Sequence, residues 1–175
     1  GDLQMKTRGF FPAAAALFSI VLSVSGESLV DRVRAYRAGH EGEIIGELVQ
    51  LLSIPDVSSD RANIRRNAEF ISRMMARRGI ESRIVETPGN PVVFGELKVP
   101  GAIRTLMFYA HYDGQPVDLS AWTGTHPFQP ALRPGKLEPG TARPEPIPFP
   151  AEGEGYDPEW RIYARGSSDD RAPVA

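Results

Sequence analysis

Apolar positions recur with helical spacing through the first part of the chain and then give way to short runs bounded by turn residues. From Glu27 to about Leu52, Leu29, Val33 and Tyr36 form one stripe, and Ile44, Ile45, Leu48, Leu51 and Leu52 form a stronger one at i, i+1, i+4, i+7 and i+8. That spacing predicts helix. Gly39-His40 lies between the stripes, where the element can divide in two, and Ile54-Pro55 ends it, because the residue before proline disfavours the α region. Ser58-Ser59-Asp60 supplies N-cap candidates for a second helix, whose apolar face is Ile64, Ala68, Ile71 and Met75. Six arginines decorate this helix. With Glu69 interleaved and the last of them at the helix C-terminus, they read as a solvated surface. Gly79 is placed as the residue just past the helix end.

Period-two and continuous apolar runs follow. Ile80–Thr87 and Val92–Val99 read as strands joined by the turn Pro88-Gly-Asn-Pro91. Pro100-Gly101 leads to Thr105-Leu-Met-Phe-Tyr-Ala-His111-Tyr-Asp113, an apolar run stopped by Gly114 and Pro116. Such a run predicts a buried strand with His111 and Asp113 at its carboxyl end. The order helix, helix, strand, strand, strand suits an α/β or α+β sheet with helices packed on it.

Nine of the 16 prolines fall within 127–158, which argues against regular helix or central strand there and for an extended surface loop. Trp160–Arg165 returns to strand character. Gly166-Ser-Ser-Asp169-Asp170 then presents two adjacent carboxylates where a helix can start. Either aspartate can serve as its N-cap, which is the plain structural explanation for the pair.

The N-terminus adds a destination. Met5, Lys6 and Arg8 precede an apolar stretch from Phe10 to Val24, and Ser23 and Ser25 are small residues at the −3 and −1 spacing. This predicts a signal peptide over 5–25, export to the periplasm or medium, and no stable membrane insertion after cleavage. An uncleaved anchor is the alternative. Residues 1–4 do not fit and read as a cloning remnant or a start codon assigned too early. Charge is nearly balanced, 20 basic against 22 acidic residues, so nothing points to a nucleic-acid partner. Cysteine is absent, which excludes disulfides, thiolate metal sites and a cysteine nucleophile. Any metal must be held by the three histidines and by carboxylates.

His111-x-Asp113 at a strand end has the form of an imidazole whose second nitrogen is held by a carboxylate, leaving the other free for a metal. A histidine satisfied within a loop is the simpler reading. The separated motifs weigh against it. A strand ending in His111-x-Asp113, then Trp122 and Pro127-Phe128-x-Pro130, then Arg165-Gly166-x-x-Asp169-Asp170, resembles the M20 family of zinc metallopeptidases, in particular its dipeptidase branch. The resemblance covers about residues 27–175. It implies an α/β fold: a partial zinc-peptidase-like sheet flanked by helices, two N-terminal helices followed by strands, ending before the family's later strands and inserted lid domain. Residues 26–175 would be the N-terminal part of the catalytic domain.

The resemblance also implies roles. The family binds two zinc ions and hydrolyses small peptides with metal-activated water. His111 matches the first zinc histidine, Asp113 the aspartate that orients it, and Asp169 the aspartate that bridges both metals. Asp170 follows the bridge, across a peptide bond that is typically cis in the family. Arg171 and Ala172 stand where Lys and Gly are commoner, and neither is a ligand. The family's Glu-Glu pair, further acidic ligand and late histidine are not in this chain, and Glu152 and Glu154 precede Asp169 in the wrong order to replace them. The expectation is therefore a chain that is inactive alone and binds zinc weakly, with homodimerisation of the complete enzyme left open. Two other functions stay open: an exported non-catalytic module with a degenerate site, using 127–158 as an interaction surface, and an N-acyl amino acid deacylase.

Overall fold

The computed structural model describes residues 27–151 and 153–175. The signal-peptide expectation over 5–25 lies outside them. The helical region divides at His40 as its sequence allows, into α1 (Leu29–Gly39) and α2 (Glu41–Leu52). Ser28 caps α1, its hydroxyl accepting from the Asp31 N–H at 3.2 Å. The two stripes have different fates. Leu51 and Leu52 of α2 are fully buried, whereas Leu29, Val33 and Tyr36 of α1 face solvent. The His40 ring stacks on Tyr36 with centroids 3.9 Å apart.

Helix α3 (Arg61–Arg77) starts at Asp60, whose carboxylate accepts from the Asn63 N–H at 3.1 Å. Ile64, Ala68, Ile71 and Met74 form its buried face. It ends against Gly79, at φ 70°, a left-handed conformation that glycine adopts without a Cβ clash. Strands β1 (Glu81–Val85) and β2 (Val92–Glu96) follow, paired antiparallel with Arg83 opposite Phe94. α3 lies close on this ribbon: a Cβ on Gly95 would sit 2.7 Å from Met75 Sδ, so the strand is bare at the crossing. Leu51, Phe70, Ile71 and Met74 form the core, with Val93 and Tyr112 packed against it. Each such side chain contributes about 1.5–3 kcal/mol by leaving water.

Residues 105–113 depart from expectation. They form no strand, and Ile103, Leu106, Met107, Phe108 and Tyr109 are 82–93% exposed. An apolar run becomes a buried strand only where neighbours take up its N–H and C=O groups and another layer covers its side chains. Among the described residues neither is present, because β2 pairs with β1 alone. The proline-rich stretch departs in the other direction. Strand β3 (Ala131–Arg133) fits between Pro130 and Pro134 and pairs antiparallel with β4 (Arg161–Tyr163). Leu132, 2% exposed, sits opposite Ile162 and also receives the Ile147 N–H on its carbonyl at 2.8 Å. Three residues without proline suffice for this short ladder, although prolines flank them. The sheets are thus two small antiparallel pairs, with α4 (Arg171–Val174) closing the described chain.

Candidate metal centre

His111 reaches its place through the residue that stops its run. Gly114 donates its N–H to the Asp56 carbonyl at 2.7 Å and accepts from the Ser58 N–H at 2.9 Å, a parallel bridge to the segment between α2 and α3. Tyr112 points into the core, and its hydroxyl donates to the Pro91 carbonyl. Burial pushes that phenol up to about 12. With Tyr112 inward, His111 and Asp113 on either side of it stay half-exposed at the surface.

The ring of His111 is oriented from its Nδ1 side. Nδ1 donates to the Asp113 carbonyl oxygen at 2.7 Å, while the nearer Asp113 carboxylate oxygen stands at 3.5 Å. The expected orienting residue is therefore beside the ring, but its backbone makes the closer contact. Asn90 donates to the other carboxylate oxygen at 3.4 Å. A carbonyl can only accept, so Nδ1 carries the hydrogen and Nε2 of the neutral ring presents its lone pair. Nε2 lies 3.3 Å from Asp169 Oδ1 and 3.6 Å from Asp170 Oδ2. The Asp113 carbonyl, together with the Asp169 and Asp170 carboxylates, holds the His111 pKa above its ordinary value against the opposing effect of burial.

The two aspartates come off β4. The Arg165 N–H donates to the Pro127 carbonyl at 2.7 Å, Gly166 turns the chain at φ 73°, and the Asp169–Asp170 peptide is cis. Asp170 is the N-cap residue of α4 by position, yet its side chain makes no capping bond. Its carboxylate lies near His111 instead. The sequence offered only the capping role, because nothing local shows that a residue 59 positions away in the chain would be nearer than the helix N–H groups. Trp122 and residues 164–169 line a solvent-open cleft of about 170 Å³ beside this group.

The donor set suits a divalent cation. His111, Asp169 and Asp170 each offer one ligand atom within 4.8 Å of the others. Ligands about 2.1 Å from a tetrahedral zinc lie roughly 3.4 Å apart, close to the two separations at Nε2. Imidazole nitrogen and carboxylate oxygen are zinc's ordinary ligands in a cysteine-free site. His40 and His126 belong to no such group among the described residues.

Beneath the centre lies a buried pair that carried no sequence signal. Asp56 and Arg171 are 2% and 1% exposed, with carboxylate and guanidinium 3.8 Å apart. Arg171 donates to the Ile54 carbonyl at 3.0 Å and to the Asn67 side-chain oxygen. Asn67 in turn donates to the Pro55 carbonyl at 2.8 Å. The Asp56 carboxylate lies against two glycines: a Cβ on Gly114 would meet it at 3.0 Å and one on Gly166 at 2.9 Å. Burial raises the Asp56 pKa despite Arg171 and Arg165, and it lowers that of Arg171 to about 10 despite Asp56. Both shifts oppose the charged forms, so desolvation outweighs the mutual attraction of the pair.

No protein-family model matches the sequence. It is similar to the Cys-Gly metallodipeptidase dug1 of Schizosaccharomyces pombe, 24% identical over 145 residues, covering 75% of this chain and 25% of that protein. It is 28% identical over 103 residues to the Cys-Gly metallodipeptidase DUG1 of Saccharomyces cerevisiae, covering 50% of this chain and 21% of that protein. Among solved structures, the M20 family metallo-carboxypeptidase Sso-CP2 of Sulfolobus solfataricus aligns with a TM-score of 0.53 at 30% identity, over 74% of this chain and 24% of that one. The di-peptidase Dug1p of Saccharomyces cerevisiae aligns at 0.54 and 22% identity, over 77% and 26%, a likeness of fold. The chain spans about a quarter of the length of the relatives it matches.

Proposed function

We propose, from the premise that this chain is of the M20 metallopeptidase type, that it carries part of a zinc-dependent peptidase site acting on dipeptides or other small peptides. The observation that carries this reading is the convergence of His111 Nε2 with the Asp169 and Asp170 carboxylates, with Nδ1 tied to Asp113. In this reading His111 and Asp169 are metal ligands. Asp113 fixes the ring so that Nε2 presents its lone pair, and Asp170 is a further carboxylate within reach. A bound zinc polarises the scissile carbonyl and lowers the pKa of the attacking water. Asp169, whose side chain is 85% exposed, can offer its second oxygen outward to a second metal. The cleft beside Trp122 is where a small substrate would lie.

The acidic residues grouped with His111 are both aspartates, and no glutamate is placed to take the proton from water among the described residues. Hydrolysis accordingly needs groups beyond this set, and the isolated chain should bind zinc without turning over dipeptides. We further propose that 5–25 directs export, with 26–175 folding as the catalytic-domain portion.

Calorimetric titration with Zn²⁺ tests the site. Saturable binding that is lost in both His111→Ala and Asp169→Asn supports it. Equal binding by the parent and both variants overturns it. N-terminal sequencing of the secreted product tests export, which fails if residues 5–25 are retained.

A further inference from the structure

The two halves of the proposed centre come from distant parts of the chain, and neither is joined to the other by a shared ladder among the described residues. His111 ends a run that pairs with nothing over 105–110. Asp169 and Asp170 follow the short β4 and are largely solvent-facing. What touches both halves is the segment between α2 and α3. Its backbone bonds Gly114 on both sides, at Asp56 and Ser58. Its Asp56 carboxylate packs on Gly114 and Gly166 together. Arg171, next in sequence after Asp170, returns to the same segment at the Ile54 carbonyl and faces Asp56. Asn67 of α3 closes the circuit by accepting from Arg171 and donating to Pro55.

We propose that Asp56 and Arg171 are a positioning pair: buried beneath the centre, they hold the His111 loop and the Asp169–Asp170 turn against one common segment and so set the separation of the ligand atoms. Neither residue touches the ligands' outward faces, and neither is a ligand itself. Groups that support ligands from behind in this way typically change metal affinity 10–100-fold when removed. The pair sits in full burial at 3.8 Å without a direct hydrogen bond between its members, and Asp56 Oδ1 and Arg171 Nε find no hydrogen-bond partner among the described residues. An arrangement of that kind is a weak source of stability, and buried ionic groups have their best-attested value in fixing register.

The inference rests on the metal-site reading only for its affinity readout, so two measurements separate the failures. The first is metal-free: nuclear Overhauser contacts between the His111 ring protons and Asp169 in the full chain. The second is the cobalt dissociation constant, followed by absorption. Asp56→Asn/Arg171→Met keeps the shapes and removes both charges. We expect it to fold with an unchanged or higher melting temperature, to lose the His111–Asp169 contacts, and to bind cobalt at least tenfold more weakly. Arg171→Lys, which keeps the charge, should retain the contacts. Contacts at parental strength in the folded double variant overturn the proposal. Parental contacts without cobalt binding would defeat the metal-site reading and leave the positioning pair standing. If the double variant does not fold, Asp56→Asn alone decides on the same contacts. Unfolding of both makes the pair a folding element and overturns it too.

Discussion

Nε2 of His111 and Oδ1 of Asp169 lie 3.3 Å apart although 58 positions separate them in the chain. Two hydrogen-bond acceptors do not approach this closely by preference. The neutral ring, with its hydrogen on Nδ1, would meet the carboxylate lone pair to lone pair. A cation between them, either a proton on Nε2 or a metal, resolves the conflict, and the two compete for the same position.

The first prediction concerns that competition. Because the His111 pKa is held above its ordinary 6.5, protons should displace metal at a higher pH than a free histidine would allow. Zinc affinity measured from pH 8.5 downward should begin to fall above 6.5 and drop by about tenfold per pH unit where one proton is displaced. A flat profile between pH 8 and 6 would count against His111 as a ligand.

In the metal-free chain the sign runs the other way. A raised folded-state pKa means that the native chain binds the proton more tightly than the unfolded one. The stability this adds is fully present below 6.5, the unfolded value, and disappears as pH rises through the folded value. Urea unfolding should show it as a decline in stability on the alkaline side of 6.5 that His111→Ala abolishes.

Glu47 on α2 accepts from Arg77 at 3.0 Å and from Arg78 on the far side of α3. Partial burial pushes its carboxyl up, but the hydrogen bonds and charges of Arg78 and Arg77 together leave it below its ordinary value. Its contribution is present above 4.5, the unfolded value, and is lost as pH falls through the folded one. Since both arginines are well exposed, Glu47→Gln should cost only about 0.5–1 kcal/mol at neutral pH, read from the urea midpoint. No difference from the parent should remain once both carboxyls are protonated.

The apolar face at 103–109 should govern behaviour in solution more than stability. Met107 and Phe108 are each 90% exposed. Replacing both by Glu should leave the unfolding free energy within about 0.5 kcal/mol. It should also reduce binding of an apolar dye and raise the concentration at which the chain aggregates, because contiguous exposed apolar strand-formers template association. A large loss of stability in that variant would mean the segment packs against something in solution.

The helices were legible because their signals are local. Asp60 caps α3, Gly79 ends it, and Ile64, Ala68 and Ile71 share a face at the spacing a helix requires. The β1–β2 hairpin was legible from two apolar runs around a proline-glycine turn. The strand over 105–113 was not realised, because an apolar run records only that burial is favourable and not whether a covering layer exists. β3 was hidden by prolines that flank it without interrupting it. At the centre, His111 and Asp169 stood out as residue types within motifs. Asp170's turn toward His111 and the burial of Asp56 and Arg171 depend on contacts across the fold, and a charged residue next to a turn looks the same in sequence whether it faces water or the interior.

Gly114 and Gly166 share a single neighbour, the Asp56 carboxylate. A methyl group added to either would press on an atom that the other also leans upon, so an error at one loop is transmitted to the opposite one through a residue belonging to neither. The mutational tolerance of these two positions is therefore not a local property. It is set jointly, and a substitution at Gly166 has to be judged by what it does on the histidine side of the molecule.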